Sequence, residues 1–164
     1  MKKTLLLIAL VASFAIGGFA QSSQGEKSVV IQGGVKSNPG RFMLGAEGRY
    51  AIVDNLRIAP NAYFVFPKDK VTGLDIDLNL HYAFNLDAVT PDLSLYPLLG
   101  LSMQNARFSG GDGVKSHGST QWGFNLGAGI DYGITSTTFL NLEMKYTFSD
   151  WDHFNLFVGY GIKF

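Results

Sequence analysis

The chain has 164 residues with 13 basic and 13 acidic side chains, so its formal net charge is zero, and it has no cysteine. Balanced charge gives no support to nucleic-acid binding, and the absence of cysteine excludes a disulfide framework. Charged residues make up 16% of the chain, against about 25% in soluble domains. Aromatic residues reach 13% and glycines number 20, a composition unusual for a small soluble domain.

The first residues have the pattern of a secretory signal peptide. A short basic region and an apolar run over 4–14 are followed by small residues up to Ala20. The alternative is a transmembrane helix, but the apolar run is shorter than the roughly 20 residues such a helix needs. We therefore expect a cleaved signal peptide over 1–20 and one mature domain over 21–164. Loss of its two lysines lowers the basic count from 13 to 11, against 13 acidic residues.

Beyond a polar lead, apolar and polar side chains alternate along most of the mature chain. A period of two predicts β-strands with two unlike faces. The predicted strands have roughly ten or more residues, which suits the about 9–11 residues of a membrane-crossing strand better than the usual 5–6 of globular strands. In chain order they are Lys27–Lys36, Arg41–Ile52, Leu56–Phe66, Val71–Phe84, Leu93–Asn105, Ser119–Tyr132, Thr137–Ser149 and His153–Phe164.

Most connections between these strands are short turns, and the longer ones are 85–92, which contains Pro91, and 106–118. The segment 106–118 is the longest, and its glycine-rich centre predicts a flexible tip that is available to a surface partner. Two predicted strands contain a proline, Pro60 and Pro97. Proline has no N–H for the strand ladder, so we expect local irregularity at both positions.

The two strand faces differ in kind, but periodicity alone does not say which one is inside. A soluble barrel turns its apolar face inward, whereas a membrane barrel turns it toward lipid. The polar face is rich in glycine and amide side chains, which would make a poor solvated surface but suits a narrow lumen. No charged residue falls in the middle of the apolar face of any strand. We therefore expect the apolar face to contact lipid.

The expected lumen contains charges of both signs in nearly equal numbers. Buried charges need partners, and equal numbers permit pairing. We expect these residues to form a polar network that plugs the lumen, with glycines making room for the long charged side chains. The predicted network contains Lys36, Glu47, Arg49, Arg57, Asp75, Asp77, His81, Asp131, Glu143, Lys145 and Lys163.

Aromatic residues of the apolar face sort toward the strand ends. Two aromatic belts around an aliphatic band are typical of membrane barrels, whereas the core of a β-sandwich has no reason to sort its aromatics in this way. If the N-terminus is periplasmic, the outer belt contains Phe42, Phe64, Phe66, Trp122, Phe124, Tyr146, Phe148 and Phe154, and the inner belt contains Tyr50, Tyr82, Phe84, Tyr132 and Phe164.

The last predicted strand carries a large apolar residue at every second position and stops on Phe164. It resembles the C-terminal strand of bacterial outer-membrane β-barrels, and the mature chain resembles the small eight-stranded OmpA/OmpX-type barrels. The resemblance implies an all-β, eight-stranded antiparallel up-and-down transmembrane barrel, exported to the bacterial outer membrane and surrounded by membrane lipids and lipopolysaccharide. It also implies that Tyr160, Ile162 and Phe164 belong to the signal read by the barrel-assembly machinery. We expect no peptidoglycan-binding domain after the barrel.

The sequence gives little support for catalysis or metal binding. His81 lies on the predicted lumen face, and His117 and His153 lie in or beside loops near serine and aspartate residues. A Ser–His–acid set needs hydrogen-bond contact, which sequence neighbours in a loop do not ensure. The loop acids match no known calcium-binding spacing. We therefore expect no catalytic residue, metal or cofactor, and no enzyme.

Three functions remain for such a barrel. The first is a structural or surface-interaction barrel with a plugged lumen, and its partner would bind through 106–118. The second is a narrow channel or a carrier of small molecules. The third and weakest is a lipid A-modifying enzyme, because we find no motif of such barrels in the sequence. Lumen filling separates the first from the second, and the long polar side chains favour the plug.

Overall fold

The structure is a computed structural model that describes residues 23–86, 90, 92–108 and 117–164. The predicted signal peptide, 1–20, lies outside the described residues and stays a prediction. The described residues contain no helix that is long and apolar enough to cross a membrane. They form nine strands: β1 (Lys27–Lys36), β2 (Arg41–Val53), β3 (Leu56–Lys68), β4 (Val71–Tyr82), β5 (Phe84–Asn85), β6 (Leu93–Phe108), β7 (His117–Gly133), β8 (Thr138–Phe148) and β9 (His153–Lys163).

The strands close into one antiparallel barrel. Each strand pairs with its neighbours in the order β4-β3-β2-β1-β9-β8-β7-β6-β5, and the additional pairing of β4 with β6 closes the circle. The two-residue β5 follows β4 after Ala83 and pairs with β6 in the same register as β4, so β4 and β5 form one wall. The predicted eight-stranded up-and-down barrel is therefore confirmed.

Several predicted strand ends were wrong. β3 continues to Lys68, β4 ends at Tyr82, and the β6–β7 hairpin reaches the pair Phe108–His117. Consequently both edges of the predicted loop 106–118 belong to strands, and its tip lies outside the described residues. The apolar alternation stops where side chains leave the predicted lipid zone, but backbone pairing needs no apolar side chain and continues further.

The ladder is interrupted at both prolines, as expected. Between β4 and β6, the pairs stop at His81–Leu98 and resume as Phe84–Leu95, so Pro97 lies in the gap. Between β2 and β3, the gap runs from Glu47–Asn61 to Tyr50–Ile58 and includes Pro60. Pro60 still opposes Leu78 across β3 and β4, and the register shift of that pair of strands lies elsewhere, between Val65 and Lys68.

The two barrel ends differ. We call the end where β1 begins and β9 finishes the terminal end. There the Phe164 N–H donates to Lys27 O, beside the turns at 54–55 and 134–137. At the opposite loop end lie the connections 37–40 and 149–152. Aromatic side chains contact each other on the outward face toward both ends; these pairs are Phe64–Phe66 and Tyr146–Phe148 toward the loop end and Tyr82–Phe84 toward the terminal end.

The outward face is apolar and the lumen is polar. Many large apolar side chains are exposed on the outward face, with Trp122 at 70% and Phe164 at 74% exposure, whereas a large set of charged and amide side chains is buried inside. Two small apolar groups also lie in the lumen. Met43, Tyr63, Val65 and Phe157 form the one nearer the loop end, and Ala83, Tyr96 and Leu98 form the other.

The outward face predicts a depth-dependent cost for a buried charge. Leu78 lies in mid-strand and Val53 lies at the terminal end of β2; their exposures are similar, at 49% and 48%. In lipid vesicles, Leu78→Arg should lower the free energy of unfolding by about 2–4 kcal/mol, and Val53→Arg by about 0–1 kcal/mol. Urea titration measures both values. Equal losses would show that this face is not immersed in a bilayer.

Candidate functional site

The loop-end part of the lumen contains an ion pair beneath an open cavity. Lys36 Nζ donates to Asp75 Oδ2 at 2.8 Å and to Gln104 Oε1 at 3.3 Å. These three side chains help to line a cavity of about 550 Å³ that also contacts Arg41 and Trp151. The cavity therefore ends on a neutralised pair rather than on a free charge.

The central part of the lumen is organised around Lys145. Its ammonium group lies 2.5 Å from Asp77 Oδ2 and 3.9 Å from Glu143 Oε1. It also lies 4.8 Å from the ring of Tyr63 and 5.1 Å from the ring of Phe157, and these two rings stack at 4.4 Å. A desolvated cation is stabilised both by a carboxylate and by aromatic faces, so Lys145 is held from several sides.

The terminal half of the lumen contains a linked group of charges. Arg49 Nε lies 2.5 Å from Glu47 Oε1, and Arg49 Nη1 lies 2.9 Å from Asp131 Oδ2. Arg57 Nη2 lies 2.8 Å from the same Asp131 oxygen, and Asn141 Nδ2 donates to Asp131 Oδ1 at 2.7 Å. Asp131 therefore forms ion pairs with two guanidinium groups at once.

Tyr96 joins these groups, although it was absent from the predicted network. Its hydroxyl donates to Glu143 Oε2 at 2.9 Å and accepts hydrogen bonds from Arg49 Nη2 at 3.1 Å and Asn141 Nδ2 at 2.7 Å. A phenol offers one donor and two acceptor sites, so all three are used. Tyr96 lies two residues after Ser94 and therefore on the same face of the strand, which indicates an inward direction. It was missed because only polar and glycine positions were expected to face the lumen.

His81 is held by the same aromatic ring. It stacks on Tyr96 at 4.5 Å between ring centroids, and its Nδ1 accepts a hydrogen bond from Arg57 Nε at 3.3 Å. A neutral imidazole that accepts at Nδ1 carries its proton on Nε2. His81 Nε2 is buried and has no hydrogen-bond partner among the described residues.

One cluster has the composition of a metal site. Ligand atoms of Glu47, His81 and Glu143 lie within 4.8 Å of one another. Metal-bound histidines donate their other ring N–H to an acceptor, but the other nitrogen of His81 faces the donor Arg57 Nε. The donor set therefore does not fit a metal ion.

The structure brings most of the predicted network together. All of its members except Lys163 are buried in the lumen. Lys163 lies at the terminal end, partly exposed, with Nζ 3.7 Å from Glu26 Oε1. The glycines agree with their predicted role only in part. Gly127 leaves room beside Lys145, but at Gly45 and Gly129 the space is filled by the rings of Tyr63 and Tyr96.

The remaining candidate residues were not part of the predicted network. His153 is buried, with Nδ1 2.7 Å from Trp151 O, while Ser149 Oγ accepts from Trp151 N and Gln104 Nε2. His117 is exposed at the start of β7. The proposed assembly residues, Tyr160, Ile162 and Phe164, are exposed on the outward side at the C-terminus. Their recognition by assembly machinery stays a prediction.

Comparison with known proteins identifies the architecture. The family model described as "Outer membrane protein beta-barrel domain" matches residues 7–164. The chain belongs to this family. It is therefore an integral outer-membrane protein, and the outward face contacts lipid. No curated protein sequence matches the chain.

Solved structures of small outer-membrane barrels share the fold. The N-terminal barrel domain of Pseudomonas aeruginosa OprF is 21% identical, with a TM-score of 0.73 over 87% of this chain and 100% of that one. Neisserial surface protein A is 17% identical, with a TM-score of 0.67 over 85% and 96%. Ail, the attachment invasion locus protein of Yersinia pestis, is 18% identical, with a TM-score of 0.58 over 86% and 99%.

The buried and exposed lysines of this barrel should differ sharply in their contribution to stability. Lys145→Met leaves Asp77 buried without its cation, and breaking a buried pair costs about 3–5 kcal/mol. Lys163→Met, the matched control, breaks a partly exposed pair and should cost about 0–1 kcal/mol. Urea unfolding in detergent micelles gives both values. Equal costs would mean that water reaches Lys145 freely.

Proposed function

We propose that this protein is a structural and surface-interaction barrel with a plugged lumen, not a porin or an enzyme. The observation that supports the plug most directly is the chain of buried ion pairs from Lys36–Asp75, through Lys145–Asp77, to Arg57–Asp131. Eight strands leave an interior that side chains can only just fill. In this lumen, rings and paired charges occupy the space.

The cavities at the two ends agree with a plug between them. The loop-end cavity of about 550 Å³ reaches Lys36 and Asp75, whereas the terminal-end cavity of about 180 Å³ reaches Arg57 and Asp131. The central pair Lys145–Asp77 lines neither cavity. The larger cavity is the observation that favours the second candidate, a narrow channel or small-molecule carrier, because its size is that of a ligand pocket.

Conductance distinguishes these two candidates. Refolded wild-type protein in a planar bilayer should show no stable conductance, because the proposed plug would separate the two cavities. Replacing both Glu47 and Glu143 with Ala removes two buried acceptors and their volume, and should lower stability and permit ion passage. Lys163→Met removes a charge outside the proposed plug, so the lumen of this variant should stay closed. Steady conductance of the wild type would favour the channel.

The surface role is supported by an unpaired strand edge at the loop end. β7 pairs with β6 up to Phe108–His117, but its pairing with β8 begins only at Phe124–Phe148. Among the described residues, no strand pairs with the other side of Gly118–Trp122. We name this five-residue segment the β7 edge.

The β7 edge has the properties of a site for strand addition. Its sequence, Gly-Ser-Thr-Gln-Trp, contains no charge and no proline, the residues by which proteins protect exposed edges from pairing. Trp122 adds a large apolar side chain at its inner end, 70% exposed. We propose that the partner is an extended protein segment that hydrogen-bonds to this edge and contacts Trp122.

A displayed library of short peptides, selected on the refolded barrel, tests the β7 edge. Bound peptides should lose affinity for Thr120→Lys, because a lysine on an edge opposes strand addition. The matched control is Asn105→Lys, because Asn105 opposes Thr120 on β6 but does not lie on the edge. Trp122→Ala should also weaken binding. Peptides that bind all variants equally, or failure to select any, would refute the β7 edge as the interaction site.

A further inference from the structure

Among the described residues, the buried lumen contains one more carboxylate than cations. The buried carboxyl groups are those of Glu47, Asp75, Asp77, Asp131 and Glu143, and the buried cations are Lys36, Arg49, Arg57 and Lys145. Five against four leaves one negative charge. His81 does not supply the missing positive charge, because an imidazolium would place an Nδ1 proton against the donor Arg57 Nε.

Glu143 is the carboxyl group without a cation of its own. Each of the other four lies 2.5–2.9 Å from a lysine or arginine nitrogen. The nearest ammonium to Glu143 is Lys145 at 3.9 Å, and that ammonium donates to Asp77. Glu143 Oε2 accepts from the neutral Tyr96 hydroxyl, and Oε1 has no hydrogen bond in the described part of the chain.

The side chains around Glu143 make a negative charge on it still less favourable. A second acid, Glu47, belongs to the cluster in which ligand atoms of Glu47, His81 and Glu143 lie within 4.8 Å of one another. Two negative charges this close in a desolvated lumen repel strongly. The titratable or charged side chains near Glu143 are Glu47 and Arg49 of β2, Tyr63 of β3, Asp77 and His81 of β4, Tyr96 of β6, Asp131 of β7 and Lys145 of β8.

We propose that the Glu47–His81–Glu143 cluster is a proton-binding site, in which Glu143 carries a proton on Oε1 in the folded barrel. The proton makes the buried charges equal in number and turns an unpartnered acceptor into a donor. Glu47 differs from Glu143, because Arg49 Nε and Asn61 Nδ2 both donate hydrogen bonds to its carboxyl group.

Amide substitution separates a protonated from an ionised carboxyl group. Gln closely matches protonated Glu in shape and keeps both a donor and an acceptor. Glu143→Gln should therefore leave the urea midpoint of the refolded barrel at or above that of the wild type at neutral pH. The control Asp131→Asn makes the same chemical change in a carboxylate bound by two guanidinium groups, and should lower the midpoint clearly.

Infrared spectroscopy provides a direct readout that does not depend on variant stability. The refolded wild type at neutral pH should show the carbonyl stretch of a protonated carboxyl group, and labelling glutamate with ¹³C should shift it. The band should be absent from Glu143→Gln. The absence of this band from the wild type would overturn the proposal, as would an equal loss of stability in Glu143→Gln and Asp131→Asn.

A metal titration tests the competing occupant. Adding Zn²⁺ or Mn²⁺ to the wild type should not raise its urea midpoint relative to Glu143→Gln. A metal-dependent rise that Glu143→Gln abolishes would replace the proton with a metal ion and overturn the proposal. All three measurements are independent of whether the lumen conducts ions.

Discussion

The closed backbone ladder is the constraint on which the rest of this structure depends. Inside a bilayer every N–H and C=O group must find a partner within the protein, and a closed barrel meets this requirement without an edge. Closure with eight strands leaves an interior of only side-chain width. The polar face of each strand is thereby confined to a space where charges lose most of their water. Ion pairing in the lumen follows from closure of the wall.

Aromatic rings are as important to this interior as the charges. Tyr63 and Phe157 lie beside the Lys145 ammonium, and the Tyr96 ring lies 4.5 Å from the Arg57 guanidinium. Rings fill volume that would otherwise admit water, and their faces attract the cations. Glycines opposite the rings make this packing feasible. The lumen thus combines electrostatic pairing with close packing, which supports a rigid plug.

The same geometry separates the regions suited to stability and to interaction. In the membrane-spanning part every strand pairs with a neighbour on both sides and the lumen contains buried ion pairs, whereas the β6–β7 hairpin extends past the end of β8 and leaves the β7 edge without a strand partner in the described chain. Outside the bilayer, water satisfies an unpaired edge at little cost. In the proposed interaction a partner strand would replace this water, while the barrel below holds the edge in position.

The sequence by itself determined the strand count, the two faces and the membrane class, because a period of two and the absence of mid-strand charge on the apolar face are local properties. It also indicated most of the lumen residues by parity. Only the tertiary structure decided which of them meet, since strand register and barrel closure bring Lys36 to Asp75 and Lys145 to Asp77 across 39 and 68 residues. For the same reason the role of Tyr96 was not predictable. Alternation says which way a side chain points, but its depth and its partner across the lumen depend on how all the strands are staggered.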